Sequence, residues 1–163
     1  MDSPATEFST LYRRHAADVY RFAFWLCGHR ADAEDIAAET FARAYAGADG
    51  LRAGSAKAYL LTIARNLVLE RARRKRPEEP LDESEPDCTA DPERHAAAAQ
   101  GVRRTLAALA SLAEPDRAAL LLSGQEGLDY RSIAQALGLS LTAVKVRIHR
   151  ARLRLARALE ETP

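Results

Sequence analysis

Apolar residues recur three and four positions apart along most of this chain, a spacing that predicts helices. The predicted helices cover about residues 5–28, 32–47, 55–75, 93–112, 115–123, 129–137 and 141–159. Nowhere does the chain show the alternation of β-branched and polar residues that a half-buried strand requires. The sequence therefore predicts an all-α fold.

Several helix ends can be placed from single residues. Asp32 is predicted to cap the second helix, Pro115 to open the fifth, and Ser140 to cap the last. Gly138 lies between the last two helices, at a turn where a positive φ is inexpensive only for glycine. Glycines within residues 47–54 mark a loop before the third helix.

Residues 77–95 differ in composition from the rest of the chain. They hold four prolines and a dense run of acidic residues, with almost nothing apolar to bury. Such a segment is expected to be an extended acidic linker. It divides the chain into two small helical domains, residues 5–76 and residues 96–160.

The formal net charge of +1 conceals a strong segregation of charge. Residues 1–76 carry 13 Lys/Arg against 9 Asp/Glu, residues 77–100 carry 1 against 8, and residues 101–163 carry 10 against 6. Both helical domains are therefore basic on their own, although the whole chain is nearly neutral. Two basic domains are compatible with a nucleic-acid partner.

Other classes of protein fit the sequence poorly. No apolar run approaches the roughly 20 residues that cross a bilayer, and the N-terminus lacks a signal-peptide pattern, so we expect a cytoplasmic chain without membrane insertion. Cys27 and Cys88 lie far apart, and no second cluster of Cys or His completes a metal site, so we predict no metal and no other cofactor. No nucleophile with its base and no phosphate loop are present, which argues against an enzyme with a small-molecule substrate.

Residues 129–158 carry the pattern of a helix-turn-helix. Ala134 is small where two helices must approach, Gly138 forms the turn, and Val144 anchors the second helix in the core. From Leu141 to Arg157 the second helix has no Asp or Glu. Its cations are Lys145, Arg147, Arg150, Arg152, Arg154 and Arg157. An ordinary exposed helix mixes both signs, so this composition predicts contact with DNA.

Two segments of the first domain resemble a known family. The pattern Ala-Glu-Asp-Ile-x-x-Glu-Thr-Phe at residues 33–41, followed by Tyr-Leu-x-x-Ile-Ala-Arg-Asn at 59–66 and a basic tail to residue 76, is similar to region 2 of bacterial RNA polymerase sigma factors. Residues 128–134 and 144–152 look like region 4 of the same family. The layout resembles the extracytoplasmic-function (ECF) group, which keeps only regions 2 and 4 of the sigma-70 family.

The resemblance implies two roles for the first domain. One is core polymerase binding, with Asp35, Ile36, Glu39, Thr40 and Phe41 as the candidates. The other is recognition and melting of the downstream promoter element, with Lys57, Tyr59, Arg65, Asn66, Arg73 and Arg74 as the candidates. From the residues alone, the acidic face of the second helix could equally be solvated, Tyr59 could belong to the core, and the basic tail could serve the helix dipole.

In the second domain the resemblance implies recognition of the upstream promoter element. The candidates for DNA contact are Arg131, Ser140, Thr142, Lys145, Arg147, His149 and Arg150. The family often has Ser at the position of Val146, so the base preference of this chain is open. His149 could also be a plain surface histidine. The acidic linker is either a solubilising spacer or, as the family suggests, a segment that threads a basic channel of the polymerase.

The leading hypothesis is an alternative sigma factor of the ECF type. It would bind the β and β′ subunits of core RNA polymerase and promoter DNA, and an anti-sigma factor would hold it inactive, in the cytoplasm or at the membrane. The competing hypothesis is a stand-alone helix-turn-helix regulator that does not act through core polymerase.

Overall fold

The protein is described here as a computed structural model, which covers residues 3–47, 55–74 and 92–161. Over these residues it is helical with no strand, which confirms the predicted all-α class. The seven α-helices are α1 (Pro4–Cys27), α2 (Arg30–Ala46), α3 (Ala56–Arg74), α4 (Pro92–Ala110), α5 (Glu114–Leu120), α6 (Tyr130–Leu137) and α7 (Leu141–Glu161). A π-helical segment, Leu121–Gln125, joins α5 to the turn before α6.

Helices α1, α2 and α3 pack against one another and form the first module. Each contributes apolar residues at helical spacing that are almost fully buried, among them Phe22 on α1, Ile36 on α2 and Leu60 on α3. Gly28 ends α1 in the left-handed conformation, at φ 82°, and donates its N–H to the carbonyl of Phe24. The two-residue connection through Gly28 and His29 turns α2 back along α1.

Helices α4 to α7 form the second module, in which α7 packs against α4, α5 and α6. Val144, Ile148 and Ala151 on the inner face of α7 are at most 1% exposed. They pack with Ile133 of α6 and Leu122 of the π-helical segment in one cluster of buried side chains. That cluster continues without a break into the first module, so the two modules share a core.

Most predicted helix ends are confirmed. Ser140 caps α7, because its Oγ accepts the N–H of Ala143 at 3.1 Å, and Pro115 stands in the first turn of α5. Gly138 ends α6 at φ 66°. The predicted cap at Asp32 is wrong, because α2 begins at Arg30 directly after the short connection from α1. Asp32 instead lies in the first turn of α2 and pairs with Arg71 of α3 at 3.3 Å.

Helix α4 begins at Pro92, so the last residues of the predicted linker at 77–95 are helical. The other linker residues, 77–91, lie outside the described part of the chain, as do Gly50 and Gly54. Within the described ranges, no helix combines the length and apolar character that would let it span a membrane.

The turn between α6 and α7 gives a direct test of this fold. Gly138→Ala should destabilise the protein by about 1 kcal/mol, because only the left-handed backbone opposes the new Cβ and no neighbouring atom lies within 4 Å of it. Gly101→Ala is the matched control: Gly101 is an open position inside α4, where alanine should stabilise the helix by about 0.5–1 kcal/mol. Urea unfolding measures both, and equal effects of the two substitutions would contradict the assigned turn.

Candidate DNA and polymerase interfaces

The outer face of α7 is exposed and basic. The turn at Gly138 and the Ser140 cap direct α7 so that its buried stripe faces α5 and α6. Thr142, Lys145, His149 and Arg150 consequently lie on the exposed side. No acidic residue occurs between Leu141 and Leu159 to neutralise Lys145 and Arg150. This face has the shape and charge of a helix that enters the major groove of DNA.

Arg147 belongs to the predicted DNA set but has an internal partner. Its Nη1 donates to Oδ1 of Asp116 on α5 at 2.9 Å, and the Asp116 side chain is only 7% exposed. The pair links α7 to α5 and gives the nearly buried carboxylate a counter-charge. Arg147 therefore positions α7 against α5 in this structure. Ser140 likewise serves as the helix cap.

Arg131 is exposed in the first turn of α6, next to the N-cap residue Asp129. The Asp129 carboxylate accepts the N–H of Ser132 at 2.7 Å, and this hydrogen bond lowers the pKa of Asp129. The cap thus orders the first helix of the helix-turn-helix. An exposed arginine on that first turn is well placed for a phosphate of the DNA backbone.

The candidates for polymerase binding divide into exposed and buried groups. The carboxylate of Asp35 is 68% exposed and lies 3.6 Å from Nη1 of Arg71, and the side chain of Glu39 is 44% exposed and pairs with Arg43 at 2.9 Å. Ile36 and Thr40 are fully buried, and Thr40 donates its hydroxyl to the carbonyl of Ile36 at 2.7 Å. Asp35 and Glu39 alone of the predicted set thus present polar groups to a partner.

Phe41, the fifth candidate for polymerase binding, is 4% exposed. Its ring packs edge-on against Tyr12 at a centroid distance of 4.8 Å and against Phe8 at 6.3 Å. These aromatic contacts join the second half of α2 to the start of α1. Phe41 therefore supports α2 from within. On the other side of α2, an open groove of about 340 Å³ runs past Glu39 between α2 and α3.

Two candidates for the downstream promoter element form ion pairs with acidic residues of the second module. Arg65 on α3 makes a two-pronged contact with Glu114 of α5, from Nε to Oε1 at 2.9 Å and from Nη2 to Oε2 at 2.7 Å. Lys57 donates from Nζ to the backbone carbonyl of Glu126 at 2.8 Å and lies 3.5 Å from Oε2 of the same residue. In this arrangement neither cation faces an external polyanion.

The other downstream candidates lie nearer the surface. The hydroxyl of Tyr59 donates to the carbonyl of Gly47 at 3.3 Å, which ties the end of α2 to the start of α3. Asn66 is exposed in the middle of α3, and Arg73 and Arg74 are exposed in its last turn. The structure therefore places a polar and basic surface along α3 but holds Tyr59 at the loop between helices.

Glu126 was not predicted from the sequence as a functional residue. Its carboxylate has no exposed surface and accepts Nε of Arg21 at 3.0 Å and Nη2 at 2.9 Å. The hydrogen bond from Arg21 to Glu126 raises the pKa of Arg21 above its ordinary value. Neither residue belongs to a recognisable motif, and they are 105 positions apart, so no local signal could have joined them.

Arg117 adds a further contact between the modules. It donates to the carbonyls of Leu109 and Leu112 in its own module, at 2.9 Å and 3.0 Å, and to the carbonyl of Leu26 at the end of α1, at 2.9 Å. Burial lowers the pKa of Arg117.

Cys27, next to Leu26, donates its thiol to the carbonyl of His29 at 3.5 Å. Among the residues that the structure describes, no three His, Cys, Asp or Glu side chains are grouped to hold a metal ion.

Comparison with known proteins identifies the two modules. Residues 11–78 match the family model of Sigma-70 region 2, and residues 103–155 match that of Sigma-70 region 4. The chain belongs to the sigma-70 family of RNA polymerase sigma factors, within its ECF group.

Relatives of known name agree with this assignment. ECF RNA polymerase sigma factor SigL of Mycobacterium tuberculosis is 33% identical over 155 residues, which cover 93% of this chain and 88% of that protein. ECF RNA polymerase sigma factor SigE of Mycolicibacterium smegmatis is 36% identical over 156 residues, covering 89% of this chain but 58% of that longer protein.

Two solved structures share the fold over almost the whole chain. The sigma factor RpoE of Bartonella quintana, solved with the anti-sigma factor NepR, matches with a TM-score of 0.77 and 26% identity over 96% of this chain and 99% of that one. CnrH, solved with the cytosolic domain of CnrY, matches with a TM-score of 0.75 and 25% identity over 96% of this chain and 89% of that one.

The contact between Arg65 and Glu114 can be measured by a double-mutant cycle. Arg65→Gln and Glu114→Gln should show a coupling energy of about 1–3 kcal/mol in urea unfolding. Both side chains are largely buried, so each single substitution leaves the remaining charge without its partner. The matched control is the exposed pair Arg43 and Glu39, whose coupling should be about 0.5 kcal/mol or less. The single tryptophan, Trp25, reports unfolding. Equal coupling in the two pairs would contradict the contact between the modules.

Proposed function

We propose that this chain is an alternative sigma factor of the ECF type that binds core RNA polymerase and directs initiation at a specific set of promoters. The observation that carries the proposal is the presence of both sigma modules in one chain, residues 11–78 and 103–155. A stand-alone helix-turn-helix regulator would explain the second module but not the match of the first to Sigma-70 region 2. The chain itself is not expected to catalyse a reaction, and we expect it to act in the cytoplasm.

Core polymerase binding is assigned to the exposed acids of α2. Asp35 and Glu39 lie one helical turn apart on the side of α2 that faces α3. Each carboxylate has a nearby arginine, and both remain substantially exposed, so a basic partner surface can compete for them. Ile36, Thr40 and Phe41 act indirectly, because they fix the position of α2 against the core. The β′ subunit is the expected partner.

Upstream element recognition is assigned to the outer face of α7. Thr142, Lys145 and His149 provide polar groups for base edges near the start of the helix. Arg150 and Arg131 are expected to contact phosphates, whereas Arg147 and Ser140 hold the helix in place. Because this face is exposed in the compact chain, upstream recognition does not require the modules to move.

Downstream element recognition, in contrast, requires the two modules to move apart. Lys57 and Arg65 can contact DNA only after they leave Glu126 and Glu114. We therefore expect the modules to separate when the chain engages polymerase and promoter, with phosphates taking the place of the two carboxylates. Asn66, Arg73 and Arg74 are exposed already and extend the same surface along α3. Tyr59 lies at the start of this surface.

An anti-sigma factor is the expected inhibitory partner. The sigma factor RpoE compared above was solved in complex with such a protein, NepR. In the compact arrangement Lys57 and Arg65 are already paired with acids of the second module, so a partner that binds both modules would stabilise the inactive form. Attachment of this chain to a membrane would then depend on the partner.

Run-off transcription with purified core polymerase tests the proposed function. Adding the protein should give transcripts from specific promoter fragments, and the double variant Asp35→Arg, Glu39→Arg should reduce them at least tenfold, because two repulsive charges replace the docking acids. The matched control is Glu160→Arg, Glu161→Arg, which makes the same change of charge at the exposed end of α7. Transcription should survive in the control.

Binding to promoter DNA without any effect on transcription would instead support a stand-alone regulator. Equal loss of transcription in both double variants would contradict docking through α2. Circular dichroism of each variant checks that the helices are retained.

A further inference from the structure

One apolar side chain stands in the middle of the DNA-facing surface. Val146 is 41% exposed, although Val144 two positions before it is fully buried and Ile148 two positions after it is 1% exposed. An α-helix turns once in about 3.6 residues, so this alternation places Val146 on the side of α7 opposite the core. Val146 therefore lies outside the buried core of the second module.

The neighbours of Val146 define the surface around it. Thr142 lies one turn before it and His149 one turn after it on the same stripe of α7, and both are exposed. Lys145 and Arg150, which are also exposed, flank the stripe. Since no acid lies between Leu141 and Leu159, the exposed cations of this face favour a polyanion. The valine is thus the apolar centre of a cationic surface.

The chemistry of the major groove restricts what such a centre can contact. Each base pair presents hydrogen-bond donors and acceptors there, and the C5-methyl group of thymine is the apolar feature of the four base pairs. A valine pressed against a polar base edge would displace water without replacing its hydrogen bonds, which is unfavourable. Against a thymine methyl, the same contact buries two apolar surfaces.

We propose that Val146 is a specificity-determining residue that reads the C5-methyl group of a thymine in the upstream promoter element. The inference rests on the proposed function, because it requires α7 to enter the major groove. It adds the chemical identity of one recognised group. The polar and basic neighbours supply affinity and register, and the valine selects thymine at one position.

Removal of the methyl group from DNA tests the contact without altering base pairing. The probe is a DNA duplex that the full-length chain, together with core polymerase, selects from a randomised library. Each thymine of this duplex is then replaced in turn by deoxyuridine. One replacement should weaken binding by the wild-type protein by about fourfold, the effect of losing one buried methyl group. Val146→Ala should bind the thymine and deoxyuridine duplexes equally well.

Leu153→Ala is the matched control. Leu153 is 56% exposed on the same stripe, seven residues further along α7, and its truncation should leave the preference for thymine over deoxyuridine unchanged. If the wild-type protein binds every deoxyuridine duplex as tightly as the parent, or if Val146→Ala keeps the preference, the assignment of Val146 is overturned while DNA binding stands. If the selection enriches no duplex at all, DNA recognition by the proposed function fails, and the inference fails with it.

Discussion

The compact form of this protein depends on a carboxylate that has no access to solvent. Glu126 follows the π-helical segment of the second module, and its side chain lies against Arg21 and Lys57 of the first. A buried charge is tolerated only when it is paired and hydrogen-bonded, and here Arg21 makes two hydrogen bonds while Lys57 adds a third cationic contact. The modules cannot separate unless Glu126 regains water or finds other partners.

The same interaction links the fold to the proposed function. Lys57 and Arg65 pair with acids of the second module, so the compact chain neutralises part of the surface that we propose for downstream DNA. Among the described residues, Asp116 is the acid that pairs with a cation of α7, through Arg147. The two promoter elements would therefore be read under different conditions: the upstream element by a surface that is already exposed, and the downstream element by one that opening exposes. Under the proposed function, polymerase docking on α2 would supply free energy for that opening.

Much of the fold could be predicted from the sequence because helices are governed by local spacing and by caps. Periodic apolar residues located all seven helices, and Gly138, Pro115 and Ser140 marked real ends.

The candidate sites were harder to predict, because a motif does not reveal which side of a helix faces inward. Ile36 and Thr40 lie four residues apart, as do Thr40 and Ala44, and this spacing marks them as one buried stripe of α2. The pairs of Arg21 with Glu126 and of Arg65 with Glu114 join residues that are distant in sequence, and no local pattern specifies them.

The distance between the modules is the most direct measure of this account. Spin labels at two exposed positions, Ala38 on α2 and Gln135 on α6, can be introduced after both cysteines are replaced by serine, and pulsed electron spin resonance then measures the distance between them. The free chain should give one narrow distance distribution, and the chain bound to core polymerase and promoter DNA should give a clearly longer distance. An unchanged distance in a complex that transcribes would contradict the claim that the downstream DNA surface is opened by separation of the modules.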